Sequence, residues 1–299
     1  MSDPIHPRPV SRRAAACAIA AGLAAALARP RSLLALAAPP TEAPRVGSPR
    51  VGAASDARPP GVRLRIGLAT ADRDEPGRRS LDRGIRMGAE EASRAAAMLG
   101  GALELREGPA SDLLAGGIDA LVGGSGEECA PLAALAAAAG VAYVDAACGP
   151  PATDADATPT VFHLAPGATT RRLTMARASG PGTLELWHPA LHRFGAAQLN
   201  ARYRARFDAP MDSPAWAGWM AVKLLWESAS RLDAARGDTL AAWLLSPRAR
   251  FDGHKGRALS FDSATHELRQ PLYIVRAGAA GEPEIEEIAL DDTAAEGAS

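Results

Sequence analysis

A chain of 299 residues that is 47% apolar can bury one large core or a pair of lobes. Its formal charge is −1, but residues 1–37 hold five arginines against one acid, so the remaining 28 basic and 33 acidic residues make a mildly acidic body. No basic face with interleaved aromatics runs along it, and nucleic acid is excluded as a partner.

The N-terminus comes first. Arg8, Arg12 and Arg13 precede an uncharged Ala/Leu/Gly run over 14–28, the layout of an export signal and too short for a membrane span. Ser11-Arg12-Arg13 before this run resembles a twin-arginine signal. Small-x-small patterns allow cleavage after Ala28 or Ala37. Residues 1–37 are therefore expected to be a signal peptide that sends the rest to the periplasm; the plain alternative is an Ala-rich start with no targeting role. Residues 38–61 are rich in Pro, Arg, Ala and Gly without periodicity and read as a flexible linker.

Alternation over Arg63–Ala69 predicts a strand, and Thr70–Ser80 a polar loop carrying Asp72, Asp74 and Glu75. From Leu81 to Leu99, Ile85, Gly88, Ala89, Ala92 and Ala96 share a helical face. A strand at Ala102–Leu105 and a brief polar helix lead to the apolar run Ile118–Val122, which stops at Gly123-Gly124-Ser125-Gly126. A helix over Pro131–Ala139, ended by Gly140, a strand over Val141–Val144 and a strand over Thr160–Leu164 follow. This order predicts an α/β fold with a doubly wound parallel sheet over residues 62–168. Strand order 2-1-3-4-5 would set the first and third strands side by side, with Asp72 and Asp74 facing Ser125 and Glu127 across the topological switch point.

Beyond Pro166 the pattern to Gly182 is hard to assign. A strand at Thr183–Trp187, a helix at Phe194–Phe207 and a helix begun by Ser213-Pro214 as cap and first turn come next. Trp216, Trp219, Met220 and Leu224 share one side of that helix, as core packing or as a ligand cage. Asp238 is read as capping a helix to Leu245. Arg257–Phe261 and Pro271–Val275 are read as strands joined by a polar turn. Residues 277–299 are acidic and expected to be mostly disordered apart from a strand at Ile285–Ile288.

The helix Pro214–Arg231 and the run Phe251-Asp252-Gly253-His254-Lys255-Gly256-Arg257-Ala258-Leu259-Ser260-Phe261-Asp262 resemble the type I periplasmic substrate-binding proteins of ABC transporters. Trp187-His188-Pro189-Ala190, Arg193-Phe194-Gly195-Ala196-Ala197-Gln198-Leu199-Asn200 and Leu268-Arg269-Gln270-Pro271-Leu272 are similar to the binding proteins encoded with PQQ-dependent alcohol dehydrogenase systems. The resemblance implies a transport role, a permease partner, a small-molecule ligand and no cofactor. It also implies that residues 169–276 form a reduced second lobe plus helices returning to the first. In the resembling receptors a serine at the position of Ser125 binds a ligand carboxylate; the plain alternative is a helix cap.

The candidate ligand-binding set is Asp72, Asp74, Ser125, Glu127 and Asp145, with Trp187 and His188 contributing from the reduced lobe. Glu127 and Glu128 also suit a helix N-terminus by charge alone. Asp72, Asp74, Glu75 and Asp145 offer oxygens to a hard cation such as calcium or a lanthanide. His188 and His192 have i,i+4 spacing but no third metal ligand nearby. No nucleophile elbow, phosphate loop or H-E-x-x-H occurs, so an enzyme is not expected. Cys129 and Cys148 fall at one sheet edge, either as a disulfide or as two separate thiols.

Overall fold

The computed structural model describes residues 61–70, 77–151, 157–232, 235–279 and 281–290. The expected signal segment, all of the linker but Gly61, and Asp72, Asp74 and Glu75 lie outside the described residues. Strands β1 (Arg63–Ala69), β2 (Ala102–Gly108), β3 (Ala120–Gly123), β4 (Ala142–Asp145) and β5 (Val161–His163) form one sheet in the order β2-β1-β3-β4-β5. All four pairings are parallel, as crossovers through α1 (Arg78–Met98), α2 (Ala110–Ala115) and α3 (Cys129–Ala139) require.

Side-chain alternation divides the sheet between two faces. Leu64, Ile66 and Leu68 of β1, Val122, Val144 and Phe162 pack with α1 and with α6 (Ser213–Leu232) in the larger core. Leu121, Tyr143 and Val161 point the other way, onto Leu113 of α2 and Leu132 and Ala136 of α3. Gly67 has no Cβ because one there would meet Ile118 Cδ1 at 2.6 Å.

The contact between α1 and α6 depends on bare backbone. A Cβ on Gly84 would stand 1.9 Å from the Ala215 carbonyl oxygen, one on Gly88 2.9 Å from that of Trp219, and one on Gly218 2.3 Å from that of Leu81. Residues 84 and 88 thus meet 215 and 219 in the same order, so the two helices run parallel with their N-termini at one end. The start of α6 departs from the sequence reading. Asp212 Oδ1 accepts from Ala215 N–H at 2.9 Å and is the cap, while Ser213 Oγ accepts from the N–H groups of Leu186 (2.9 Å) and Trp187 (3.1 Å).

The segment that resisted assignment contains α4 (Ala168–Arg177) and leads to β6 (Thr183–Glu185), followed by α5 (Ala196–Phe207). α7 spans Gly237–Leu244; Asp238 lies inside its first turn, where its Oδ1 accepts from Thr239 N–H, and Arg236 occupies the cap. Near the C-terminus, β8 (Ala258–Phe261) pairs antiparallel with β7 (Phe251–Asp252) and β9 (Leu268–Arg269). β10 (Leu272–Ala277) does not pair with β8, as a simple hairpin would require; it pairs antiparallel with β6 and with β11 (Pro283–Ile288). An isolated parallel bridge from His163 to Glu267 joins this C-terminal region to β5. Among the described residues no helix is long and apolar enough to cross a membrane.

Candidate functional site

At the switch point β3 ends in Gly123 (φ 110°) and Gly124 (φ 86°), a left-handed pair that turns the chain sharply. A Cβ at Gly124 would meet Leu132 Cδ1 at 2.6 Å and the Tyr143 hydroxyl at 2.9 Å. That hydroxyl donates to the Gly123 carbonyl at 2.9 Å, which fastens the end of β3 to β4. Ser125 follows as the cap of a single 3-10 turn, Gly126–Glu128, that runs into α3. It forms a capping box with Glu128, whose Oε2 accepts from Ser125 N–H at 3.1 Å.

A cavity of about 390 Å³ opens beside this turn, lined by Ala69 and Thr70 from the end of β1, Ala110 from α2, and Glu127, Glu128, Pro131 and Leu132. Glu127 lines this cavity, whereas Ser125 caps the turn beside it and is not among the lining residues. A larger concavity of about 710 Å³ lies elsewhere, on β6 and β10 around Gly180, Arg276 and Glu284. It shares no residue with the switch point and holds its arginine in ion pairs, Arg276 Nη2 with Glu286 and Nη1 with Glu284 at 3.8 Å.

Sequence reasoning missed Arg78, the first residue of α1 and only 6% exposed. Its guanidinium reaches Glu128 Oε2 at 2.7 Å and Asp82 Oδ1 at 2.9 Å, and donates to the Ala69 carbonyl. It therefore bridges the end of β1 to the turn after β3. Burial raises the Asp82 pKa, with Arg78 opposing. A pair of arginines, Arg78-Arg79, at the start of a helix offered no signal that one of them turns inward.

Asp145 does not line the cavity. It is 1% exposed; Oδ1 accepts from the N–H groups of Ala147 (3.0 Å) and Cys148 (2.9 Å), and Oδ2 meets His163 Nδ1 at 2.8 Å. The turn that folds over it carries Cys148, which is joined to Cys129 by a disulfide with Cα atoms 6.4 Å apart. Asp145 is thus buried in its own turn and held by His163, away from the lining of the cavity.

Trp187 is also core: 1% exposed, stacked on Trp216 with centroids 6.0 Å apart, its indole N–H donating to Asn200 Oδ1 at 2.8 Å. Asn200 donates in turn to the carbonyls of Pro189 and Leu191, both at 3.0 Å, and holds a non-helical turn on which His188 and His192 sit. Their i,i+4 spacing therefore has no helix to align it. Burial lowers the His188 pKa, with Glu185 opposing.

The remaining motif segments converge on Lys255, which is 1% exposed. Its ammonium donates to Gln270 Oε1 (2.6 Å) and the Pro271 carbonyl (3.0 Å) and lies 4.0 Å from the Trp216 ring centroid and 5.3 Å from that of Tyr273. Gln270 donates onward to the Leu164 carbonyl at 2.7 Å. Trp187, Trp216, the Asn200 turn and the Gly253–Gly256 loop thus make one structural hub.

No protein-family model matches the chain, and no curated protein matches it. Solved structures do. The branched-chain amino-acid transporter substrate-binding protein LivJ of Streptococcus pneumoniae, in complex with isoleucine, is similar with a TM-score of 0.59 and 11% identity, over 76% of this chain and 99% of that one. The leucine-binding protein LivK of Thermotoga maritima gives 0.55 and 12%, over 77% and 99%. A solute-binding protein of an ABC transporter from Rhodopseudomonas palustris, in complex with 3,4-dihydroxybenzoic acid, gives 0.53 and 13%, over 76% and 96%. At such identities the likeness is one of fold: α/β with a parallel five-stranded sheet, as in the type I periplasmic binding proteins.

Proposed function

We propose that this chain is the periplasmic substrate-binding component of an ABC transporter, which takes a small ligand at the switch point and presents it to a permease. The observation that carries this reading is the β2-β1-β3-β4-β5 parallel sheet with a cavity at the divergence of β1 and β3, in a fold shared with binding proteins along three quarters of the chain. The export signal expected over residues 1–37 supports a carrier over an enzyme. The resemblance of the C-terminal segments extends the proposal to a PQQ-dependent alcohol dehydrogenase system as the setting.

Two kinds of small ligand suit the crevice. A carboxylate, as isoleucine and 3,4-dihydroxybenzoic acid carry in the neighbouring structures, would use Ser125 and the first N–H groups of the helical segment after it. A cation would use Glu127 with the Asp72 and Asp74 loop. Thermal-shift screening of the protein lacking residues 1–37 against amino acids, small carboxylic acids, PQQ, calcium and lanthanum tests the reading, because a ligand that binds only the folded state raises the midpoint.

A second reading, a scaffold or sensor that binds no small molecule, is favoured by Arg78. Its guanidinium bridges the end of β1 to the turn after β3 as an internal cation already paired with Asp82 and Glu128. A flat result across the whole screen would select this reading.

A further inference from the structure

Cys129, Asp145 and Cys148 each offer a metal-ligating atom, and the three atoms lie within 4.8 Å of one another. We infer that reduction of the Cys129–Cys148 disulfide turns this end of the sheet into a site for a thiophilic divalent cation of the zinc class, with the two thiolates and the Asp145 carboxylate as ligands.

The framework for such a site is already in place. β3 and β4 are paired neighbours, so the residue that opens α3 and the turn that closes β4 stand over the same point of the sheet edge. The Cys129 and Cys148 Cα atoms, 6.4 Å apart, leave both sulfurs within reach of one ion by side-chain rotation. Asp145 is oriented by groups that coordination does not displace: His163 Nδ1 on one oxygen, and the N–H groups of Ala147 and Cys148 on the other. Ligating carboxylates are themselves held by outer hydrogen bonds, which His163 and the two N–H groups supply to Asp145. Two sulfurs and one oxygen leave a fourth tetrahedral position for water. Cys148, the more exposed of the two cysteines, marks the side from which an ion or a reductant enters.

The redox step balances with a dithiol as reductant. Two electrons and two protons pass to the protein disulfide, the reductant closes to its own disulfide, and each cysteine becomes a thiol. Binding then expels the two thiol protons, so a divalent cation and two thiolates form a neutral unit before Asp145 adds its charge. Thiol–disulfide exchange with an oxidised dithiol reverses the step: two electrons pass from the two thiolates to that disulfide, which takes two protons from solvent, and the bridge re-forms as the ion leaves. The chemistry differs from the hard-cation option at the Asp72 and Asp74 loop, and it does not rest on the transport reading.

The test uses cobalt(II) as a spectroscopic stand-in for zinc on the protein lacking residues 1–37, oxidised and dithiol-reduced, with the reductant removed under argon. The reduced protein is expected to take up one cobalt with a thiolate-to-cobalt charge-transfer band and tetrahedral visible bands. Zinc should then displace the cobalt, and zinc added to the metal-free reduced protein should release about two protons per ion. The oxidised protein should show neither band. Asp145→Asn should weaken zinc binding by at least about tenfold, and Cys148→Ser, which leaves the Asp145–His163 pair intact, should abolish the charge-transfer band of a two-thiolate site. A reduced protein without the band, or with an affinity no greater than that of the oxidised protein, overturns the inference, and so does an Asp145→Asn variant that binds zinc as tightly as the parent.

Discussion

Arg78 and Glu128, fifty residues apart, meet at 2.7 Å across the gap between the end of β1 and the turn after β3. This pair fixes the relative position of the two loops that frame the crevice, and Asp82 completes it from the next turn of α1. Removing the buried cation would leave two partly buried carboxylates without compensation. Arg78→Leu is expected to lower the unfolding free energy by about 3 kcal/mol. Urea denaturation checks this; a loss under roughly 0.5 kcal/mol, the size of an ordinary surface change, would show the pair to be incidental.

The parallel contact of α1 and α6 makes a sharper test of packing. Gly84→Ala puts a methyl group into the Ala215 carbonyl and should cost about 1–3 kcal/mol by forcing the helices apart. Gly108→Ala, at a site with nothing within 4 Å of the added carbon, should change stability by less than about 0.5 kcal/mol. Equal effects of the two substitutions would contradict the close crossing.

Lys255 predicts a pH dependence. Burial holds its folded pKa well below the ordinary value of 10.5, with Glu287 opposing. The groups around the ammonium are Trp216, Tyr273, Gln270 and the Pro271 carbonyl, none charged at neutral pH. Between the folded pKa and 10.5 the unfolded chain binds more protons than the folded one. The penalty is therefore absent above the unfolded value and grows as pH falls toward the folded one. Relative to Lys255→Met, the parent protein should gain stability as pH rises from 7 to 9.5. Tyrosine ionisation stays outside this window, since burial raises the Tyr143, Tyr203 and Tyr273 pKa values. Parallel stability curves for the two proteins would contradict the assignment.

Cys129 and Cys148 close a loop with a sequence separation of 19. Reduction should lower stability by about 3 kcal/mol, and thiol counting on denatured, unreduced protein lacking residues 1–37 should find none free. Two titratable thiols would contradict the bridge.

The strand-helix alternation of residues 63–164 was legible because each strand carries a short apolar run and each turn a glycine or a polar cluster. The order 2-1-3-4-5 was one that right-handed crossovers allow, and the sheet adopts it. What the sequence hid was long-range pairing. β10 passes β8 to join β6 and β11, and no local pattern distinguishes that arrangement from a hairpin. The same holds for side chains. Ser125 and Glu127 stand in the turn after β3, a position that follows from chain order alone. Asp145 and Trp187 turned inward because partners far along the chain, His163 and Asn200, were waiting for them. Arg78 and Lys255 likewise carry no local mark of burial, because partners such as Glu128 and Gln270 lie far along the chain.

The most direct test of the transport reading is calorimetric titration of the strongest ligand from the thermal-shift screen into the parent protein, Ser125→Ala and Glu127→Gln. The account expects saturable one-to-one binding, with a loss of about 1 kcal/mol or more in Ser125→Ala for a carboxylate or in Glu127→Gln for a cation. Binding of undiminished affinity in both variants would put the ligand away from the switch point and contradict the account.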